Sequence, residues 1–235
     1  MNVVILLAGQ SKRFSKYFKE PKHLVLIKKK TMLRRVVESL KINAKYTFVV
    51  LKNDYLEKTI KEISQFKIKK KIIILKSLSR GPAESALIAC KGLPSGEELI
   101  VTNCDQIMNW NPNFFLDHAE KFDGCLVTYH ENTEANSYAK IDKNLIVTEV
   151  AEKKVISNIS LNGIHYWKKT SYFVNSANQM IKNNVRVNNE FYIAPTYNYM
   201  IKKKKKVSIF HIPNEQHNSV GSFGDFEKFI KNEKI

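Results

Sequence analysis

The chain has 235 residues, 43% of them hydrophobic and 11% aromatic, which is enough to bury a sizeable core and leaves room for one large domain or two small ones. No apolar run comes near the ~18 residues of a membrane span, and the short stretch Val3–Leu7 lacks the small-residue cleavage site of a secretory signal. The formal charge of +17 is carried largely by lysine runs, Lys28–Lys30, Lys67 with Lys69–Lys71, and Lys202–Lys206, without the interleaved arginines and aromatics of a nucleic-acid face.

Those runs fall between predicted elements and read first as solvated surface, second as a field that attracts anionic substrates. Neither a nucleic-acid nor a membrane partner is expected. No linker rich in Pro, Gly or Ser divides the chain, so one cytoplasmic domain over residues 1–235 is expected, as a monomer or homodimer. The three cysteines, Cys90, Cys104 and Cys125, stand in apolar contexts without CxxC spacing and read as buried thiols of a reducing compartment. The six histidines are scattered, which disfavours a zinc site.

In chain order, Val3–Leu7 is a continuous β-prone block ended by a turn at Gly9, the pattern of a strand buried on both faces. Leu33, Val36, Val37 and Leu40 lie at helical spacing, predicting an amphipathic helix over 32–41. Thr47–Leu51 is a second strand. Leu56, Ile60 and Ile63 space a second helix, with Asp54 in position to cap it. Ile72–Leu75 is a strand, Glu84–Lys91 a helix and Leu99–Thr102 a strand. This alternation predicts βαβ units and a parallel sheet.

After Asp105 the rhythm changes. Cys125–Tyr129, Tyr138–Ile141, Leu145–Val150 and Leu161–Trp167 are strand-like and joined by Asn, Lys and Glu turns, as in antiparallel or mixed pairing. Helices are expected over Ser171–Lys182 and Glu190–Ile201, then a strand at Val207–Ile212. A last helix starts near Ser222, where Ser222 and Asp225 have capping-box spacing. The expected fold is a three-layer α/β/α sandwich around a Rossmann-like, mixed but mostly parallel sheet. Residues 1–110 would form a nucleotide-binding half and 111–235 an acceptor-substrate half.

Several constellations carry chemistry. Leu7-Ala8-Gly9-Gln10-Ser11-Lys12-Arg13 follows the first strand, where α/β sheets bind ligands. Gly9 allows close backbone approach to a phosphate, successive N–H groups form an anion nest, and Arg13 adds a charge-assisted fork. Glu20-Pro21-Lys22-His23-Leu24 comes next, then Thr31-Met32-Leu33 opening a helix. Gly81-Pro82-Ala83-Glu84-Ser85 is a glycine turn leading into a helix N-terminus, where Glu84 also suits the helix dipole. Asn103-Cys104-Asp105 ends a strand.

LLAGQSKRF followed by EPKHLVLIKKKTMLRRVVESL resembles the signature of the nucleotidylyltransferase, or sugar-phosphate pyrophosphorylase, family, and the resemblance runs through the whole chain. It implies a GT-A-like nucleotidyltransferase fold in which Arg13 and Lys22 grip a nucleoside triphosphate and Asp105 holds Mg²⁺ against its phosphates. In the same way Leu7, Ala8, Gly9, Gln10, Ser11, Gly81, Pro82, Ala83, Glu84, Ser85 and Asn103 would line the nucleotide. In-line attack at the α-phosphorus loads negative charge on that phosphate and on departing pyrophosphate, which preorganised cations and backbone donors stabilise.

Ser137-Tyr138-Ala139-Lys140, Glu152-Lys153 to Asn158, and Asn162-Gly163 resemble family segments facing the second substrate. Lys153 would meet the acceptor phosphate, with Lys140, Glu152, Asn158 and Gly163 around it. Asn188-Asn189-Glu190-Phe191-Tyr192-Ile193-Ala194-Pro195 resembles a block from a bacterial capsule and surface-polysaccharide branch, with Glu190 accepting hydrogen bonds from substrate hydroxyls or an amine, and Tyr192 and Tyr197 more often wall or core. The sequence departs from the family where some relatives carry a second Mg²⁺-binding aspartate: Ser219 stands there, and His217 is a weak substitute.

The expected activity, implied by the resemblance, is Mg²⁺-dependent condensation of a nucleoside triphosphate with a sugar-1-phosphate or other small phosphorylated metabolite, releasing pyrophosphate, for capsule or surface-glycan biosynthesis. A CTP-dependent reaction on a phospho-alcohol or phospho-amino acid is the alternative within the class. A glycosyltransferase of the same architecture would present Asp-x-Asp where this chain has Asp105-Gln106-Ile107. A non-enzymatic basic binding module is the third class, which the ordered motifs disfavour.

Overall fold

The computed structural model describes residues 1–10 and 14–232, so Ser11, Lys12 and Arg13 lie outside the described residues. Strand β1 (Asn2–Leu6) is followed by a two-strand ribbon, β2 (Leu26–Ile27) and β3 (Lys30–Thr31), then α1 (Met32–Leu40), β4 (Lys45–Leu51), α2 (Leu56–Ser64), β5 (Lys70–Leu75), α3 (Pro82–Cys90) and β6 (Leu99–Asn103). The second half contains β7 (Gln106–Met108), α4 (Pro112–Ala119), β8 (Gly124–His130), β9 (Ser137–Ile141), β10 (Val147–Glu152), β11 (Ile159–Trp167), α5 (Thr170–Lys182), α6 (Thr196–Lys202), β12 (Val207–His211), β13 (His217–Ser219) and α7 (Phe223–Asn232).

The main sheet runs β10-β9-β11-β6-β1-β4-β5, with β8 between β11 and β12. Strands β6, β1, β4 and β5 are mutually parallel, β11 joins β6 antiparallel, and β12 returns parallel to β8. The parallel first half and the mixed second half follow the change of rhythm read in the sequence.

Alternation along each strand builds a core on both faces. Val3 and Ile5 of β1 pack with Leu33, Val37 and Leu40 of α1, Ile63 of α2 and Phe115 of α4. Val4 packs with Ala83 and Ala86 of α3, Phe173 and Ala177 of α5, and Tyr197 and Met200 of α6. Helices thus cover both faces, giving the three layers expected. Each such fully buried aliphatic or aromatic side chain contributes about 1.5–3 kcal/mol of burial.

Local chemistry sets the helix starts. Thr31 accepts a hydrogen bond from the Arg34 N–H at 3.1 Å and caps α1. Pro82 stands at the first turn of α3, where its missing N–H costs nothing. Ser222 accepts from the Asp225 N–H at 3.2 Å and so caps α7 at the predicted spacing, and its hydroxyl donates to the Asp225 carboxylate at 2.6 Å. Asp54 does not cap α2: Tyr55 occupies the cap, and the turn before it is held by the Asn53 side chain accepting from the Tyr55 N–H at 2.9 Å. All three cysteines are buried and free.

One expected helix, Glu190–Ile201, forms only in its second half. Residues 190–195 are not helical, and α6 begins only at Thr196, behind Pro195. Tertiary contacts described below pull Phe191 away from helical geometry.

Candidate functional site

A cavity of about 410 Å³ opens beyond the C-terminal ends of β1 and β6. This is where loops leave a parallel sheet and where such sheets bind ligands. Its first wall is Leu7, Ala8, Gly9 and Gln10. The Leu7 N–H donates to the Val49 carbonyl at 2.8 Å, so the chain leaves the sheet only after Leu7. Gly9 and Gln10 are exposed, and a Cβ built on Gly9 would meet nothing within 4 Å. The fold therefore does not itself demand glycine there. The expectations for Ser11 and Arg13 lie outside the described residues.

The second wall is Lys22 and His23. Pro21 holds the chain extended, and a 3-10 turn follows at Lys22–Leu24, with the Leu24 N–H donating to the Pro21 carbonyl at 2.9 Å. His23 is buried and lies 2.9 Å from the Thr59 hydroxyl of α2, which anchors the turn. Burial, and secondarily the Lys22 charge, pushes its pKa down to about 4, so it stands neutral beside the lysine. Lys22 projects from this anchored turn, and its Nζ donates to Asp105 Oδ2 at 2.5 Å.

Asp105 follows β6 and is buried, at 7% exposure. Its carbonyl accepts from the Val220 N–H at 2.9 Å, tying the β6–β7 turn to the segment before α7. Gly221 faces its carboxylate: a Cβ there would lie 2.9 Å from Oδ2 and 3.6 Å from the Ser219 hydroxyl. Gln106 Nε2 donates to Oδ1 at 3.3 Å, and the far end of that amide meets His217 Nε2. Burial lowers the His217 pKa to about 4 against the opposing pull of Asp105, Asp225 and Glu131.

The third wall comes from the turn before α3. The Ser79 and Ser85 hydroxyls are 2.6 Å apart, and both residues line the cavity with Gly81 and Pro82. Gly81 has φ +142, and a Cβ there would sit 2.4 Å from the Phe191 nitrogen. The Phe191 N–H donates to the Arg80 carbonyl and its own carbonyl accepts from the Ala83 N–H, both at 2.9 Å. This close backbone crossing is why residues 190–195 are not helical.

Just before it, Val187 and Glu190 exchange backbone hydrogen bonds at 3.0 and 2.9 Å, and Asn188 and Asn189 have φ of +48 and +63. That is a type I′ turn, which Asn tolerates, and it presents Glu190 and Tyr192 on the cavity wall. Lys153 Nζ donates to the Tyr192 hydroxyl at 2.6 Å, from a backbone held at φ +52 by the Lys153 N–H bond to the Asn136 carbonyl. Glu152 accepts from the Ser137 hydroxyl, and burial raises its carboxyl pKa, opposed by that bond. Asn103 lines the cavity from β6, and Gly163, φ +97, leaves room for its amide: a Cβ there would come within 3.1 Å.

The structure thus brings Leu7, Ala8, Gly9, Gln10, Lys22, Gly81, Pro82, Ser85, Asn103, Asp105 and Glu190 to one cavity, with Lys153 on Tyr192 and Glu152 close to Lys153 and Glu190. Other expected site residues do not line this cavity. Ala83 turns its side chain into the core and uses its N–H on Phe191. The Glu84 carboxylate takes the Arg80 backbone N–H and guanidinium at 2.6–2.9 Å, so it closes its own helix N-terminus. Strand alternation puts Ala139 inward and Lys140 out, where it pairs with Glu149 at 3.0 Å. Asn158 is exposed and its carbonyl accepts from the Glu131 N–H at 3.4 Å. Ser79, His23 and Gly221 line the cavity and Gln106 braces Asp105 without a role expected from the sequence, while Tyr192, read as wall or core, stands on the wall.

Among the described residues no group of three or more His, Cys, Asp or Glu could hold a metal ion. The donor set around Asp105, one carboxylate and the Ser219 hydroxyl before a side-chain-free Gly221, still fits a hard cation that completes its shell with phosphate oxygens.

Residues 3–147 match the MobA-like NTP transferase domain. The nucleoside-diphosphate-sugar pyrophosphorylase of Vibrio cholerae RC9 superposes with a TM-score of 0.88 at 21% identity, covering 99% of this chain and 100% of that one. The inositol-1-phosphate CTP transferase of T. maritima gives 0.77 at 14%, covering 100% and 97%. HddC from Yersinia pseudotuberculosis, complexed with GMP-PN, gives 0.71 at 18%, covering 99% of each chain. At these identities the likeness is one of fold. No curated protein matches the chain.

Proposed function

The chain belongs to the MobA-like NTP transferase domain family and is an enzyme that transfers nucleotidyl groups, and from this we propose that it joins a nucleoside triphosphate to a small phosphorylated acceptor in the cavity beyond β1 and β6. The observation that carries the reading is the Lys22–Asp105 pair, a cation and a carboxylate from segments 83 residues apart, meeting at 2.5 Å where the first glycine turn opens. An acceptor phosphate oxygen attacks the α-phosphorus, the bond to the β-phosphate oxygen breaks, and pyrophosphate leaves.

Lys22 exchanges its bond to Asp105 for phosphate oxygens and offsets the charge that grows on them. Gly9 and Gln10 supply backbone N–H groups, and Arg13 joins them. Ser79, Gly81, Pro82 and Ser85 face the nucleoside. Glu190, Tyr192, Lys153 and Glu152 face the acceptor, with Lys153 on its phosphate. Asp105, with Ser219 beside it, would hold Mg²⁺, which when bound draws charge from the phosphates.

A sugar-1-phosphate is the leading acceptor, supported by the pyrophosphorylase fold neighbour and by the resemblance of Asn188–Asn198 to a surface-polysaccharide branch. On this reading the enzyme works in the cytoplasm, feeding capsule or surface-glycan assembly. The T. maritima neighbour, named for CTP and inositol-1-phosphate, supports a non-sugar acceptor as the second reading. Pyrophosphate release with Mg²⁺, each common triphosphate and a panel of sugar-1-phosphates and phospho-alcohols tests both. A signal that needs one triphosphate and one acceptor is the expected result. Tighter binding of a nucleotide sugar than of any triphosphate, with no pyrophosphate formed, would overturn the proposal in favour of glycosyl transfer.

A further inference from the structure

His217 stands 112 positions after Asp105, on the three-residue strand β13, which pairs antiparallel with β7. Its ring packs against Tyr129 at 4.1 Å between centroids, and the register sets Ser219 opposite Gln106. Its Nε2 meets Gln106 Oε1, and the other end of the same amide donates to Asp105 Oδ1 at 3.3 Å. The direction of this chain is forced. An ionised carboxylate only accepts, so Gln106 must turn its NH₂ to Asp105 and its oxygen to His217. The oxygen in turn needs a donor, which the ring supplies only with its proton on Nε2.

We propose that His217 is a positioning residue: its Nε2–H, acting through the Gln106 amide, fixes the rotamer of the Asp105 carboxylate so that Oδ2 stays aimed at Lys22 and the open space before Gly221. The inference rests on the reading of Asp105 as part of the triphosphate machinery. It extends that reading to a residue that never touches substrate. Without the imidazole donor, the Gln106 amide gains nothing from its present orientation and can turn its oxygen on Asp105. The carboxylate then rotates away. Outer partners of this kind cost about 10- to 100-fold when removed from comparable sites.

Two measurements test it. Nitrogen-15 correlation spectra of the wild-type imidazoles should show His217 as the Nε2–H tautomer, and Asp105→Asn, which lets the amide flip, should give a mixture. This readout needs no turnover, so it stands even if the proposed activity fails. In steady-state pyrophosphate release, His217→Leu should lower kcat about 10- to 100-fold with a much smaller change in the triphosphate KM. His217→Gln, which can place an N–H donor at the same point, should regain most of that loss. A wild-type Nδ1–H tautomer overturns the proposal. So does a folded His217→Leu enzyme with wild-type kcat, or a His217→Gln enzyme no better than the leucine variant. If His217→Leu does not fold, the glutamine variant and the spectra decide.

Discussion

Replacing Gly81 by alanine puts a methyl group where the backbone of Phe191 already runs. The new Cβ would lie 2.4, 2.6 and 3.0 Å from the Phe191 nitrogen, oxygen and carbonyl carbon, none of them the movable end of a side chain. The residue would also keep φ near +142, which costs a non-glycine about 1–3 kcal/mol. Relief requires Phe191 to retreat, stretching its two 2.9 Å hydrogen bonds to Arg80 and Ala83, each contributing about 0.5–1.5 kcal/mol. The sum is roughly 2–6 kcal/mol, or a fall in melting temperature of about 5–20 °C for a chain of this length. Because Glu190 and Tyr192 flank Phe191, the KM values for triphosphate and acceptor should rise together. Thermal unfolding by circular dichroism and initial-rate kinetics on the two substrates check this. An alanine variant that melts with the wild type and keeps both KM values would refute the close crossing and the coupling drawn from it.

Gly9→Ala should melt within about 0.5 kcal/mol of the wild type, since its Cβ meets nothing, while the triphosphate KM rises; an unchanged KM would remove the close phosphate approach at Gly9. Lys22→Met and Asp105→Asn should each lower turnover by roughly 10²–10³-fold with unaltered far-UV spectra, and near-normal turnover in both would undo the site assignment. His23, His165 and His217 are held neutral by burial, with pKa values near 4, 3 and 4, and must take up protons on unfolding. The stability they contribute is therefore complete above about pH 6.5 and is lost as pH falls toward 4, with a slope of up to about 4 kcal/mol per pH unit near pH 5; urea midpoints that stay level from pH 7 to 5 would contradict it. The Glu152 carboxyl shifts the opposite way, so its ionisation withdraws stability as pH rises; Glu152→Gln should hold or gain stability at pH 8 while the acceptor KM increases, and a lower melting temperature at pH 8 would count against the buried carboxyl.

Much of this was legible in the residues because the signals were local. The block Val3–Leu7 reads as a doubly buried strand, and Val3 and Ile5 do face one core while Val4 faces the other. Ser222 and Asp225 read as a cap and are one. What stayed hidden depends on chain segments far apart. Residues 190–195 have apolar spacing that suits a helix, but Phe191 is claimed by Arg80 and Gly81, over 100 positions upstream. The β7–β13 ribbon is too short to leave a pattern, so the partnership of Gln106 with His217 had no sequence trace. Lys140 and Asn158 were expected at the acceptor by resemblance, and alternation along β9 and the path out of β10 turned them away. The residues that follow β1 and β6 were easier to bring to one cavity, because their motifs sit directly on strand ends.

Strand β5 closes one end of the sheet order, so among the described residues one of its edges pairs with no further strand. Its sequence, Lys70-Lys71-Ile72-Ile73-Ile74-Leu75, is the kind of short β-branched run that recruits a copy of itself, and Ile74 is 45% exposed. Lys67, Lys69, Lys70, Lys71 and Lys76 surround that run. Part of the chain's large positive charge thereby acts as a gatekeeper against self-association, because two such edges meet only by bringing like charges together. Acetylating the surface lysines, which removes their charge and leaves the backbone alone, should let two copies pair edge to edge through this strand.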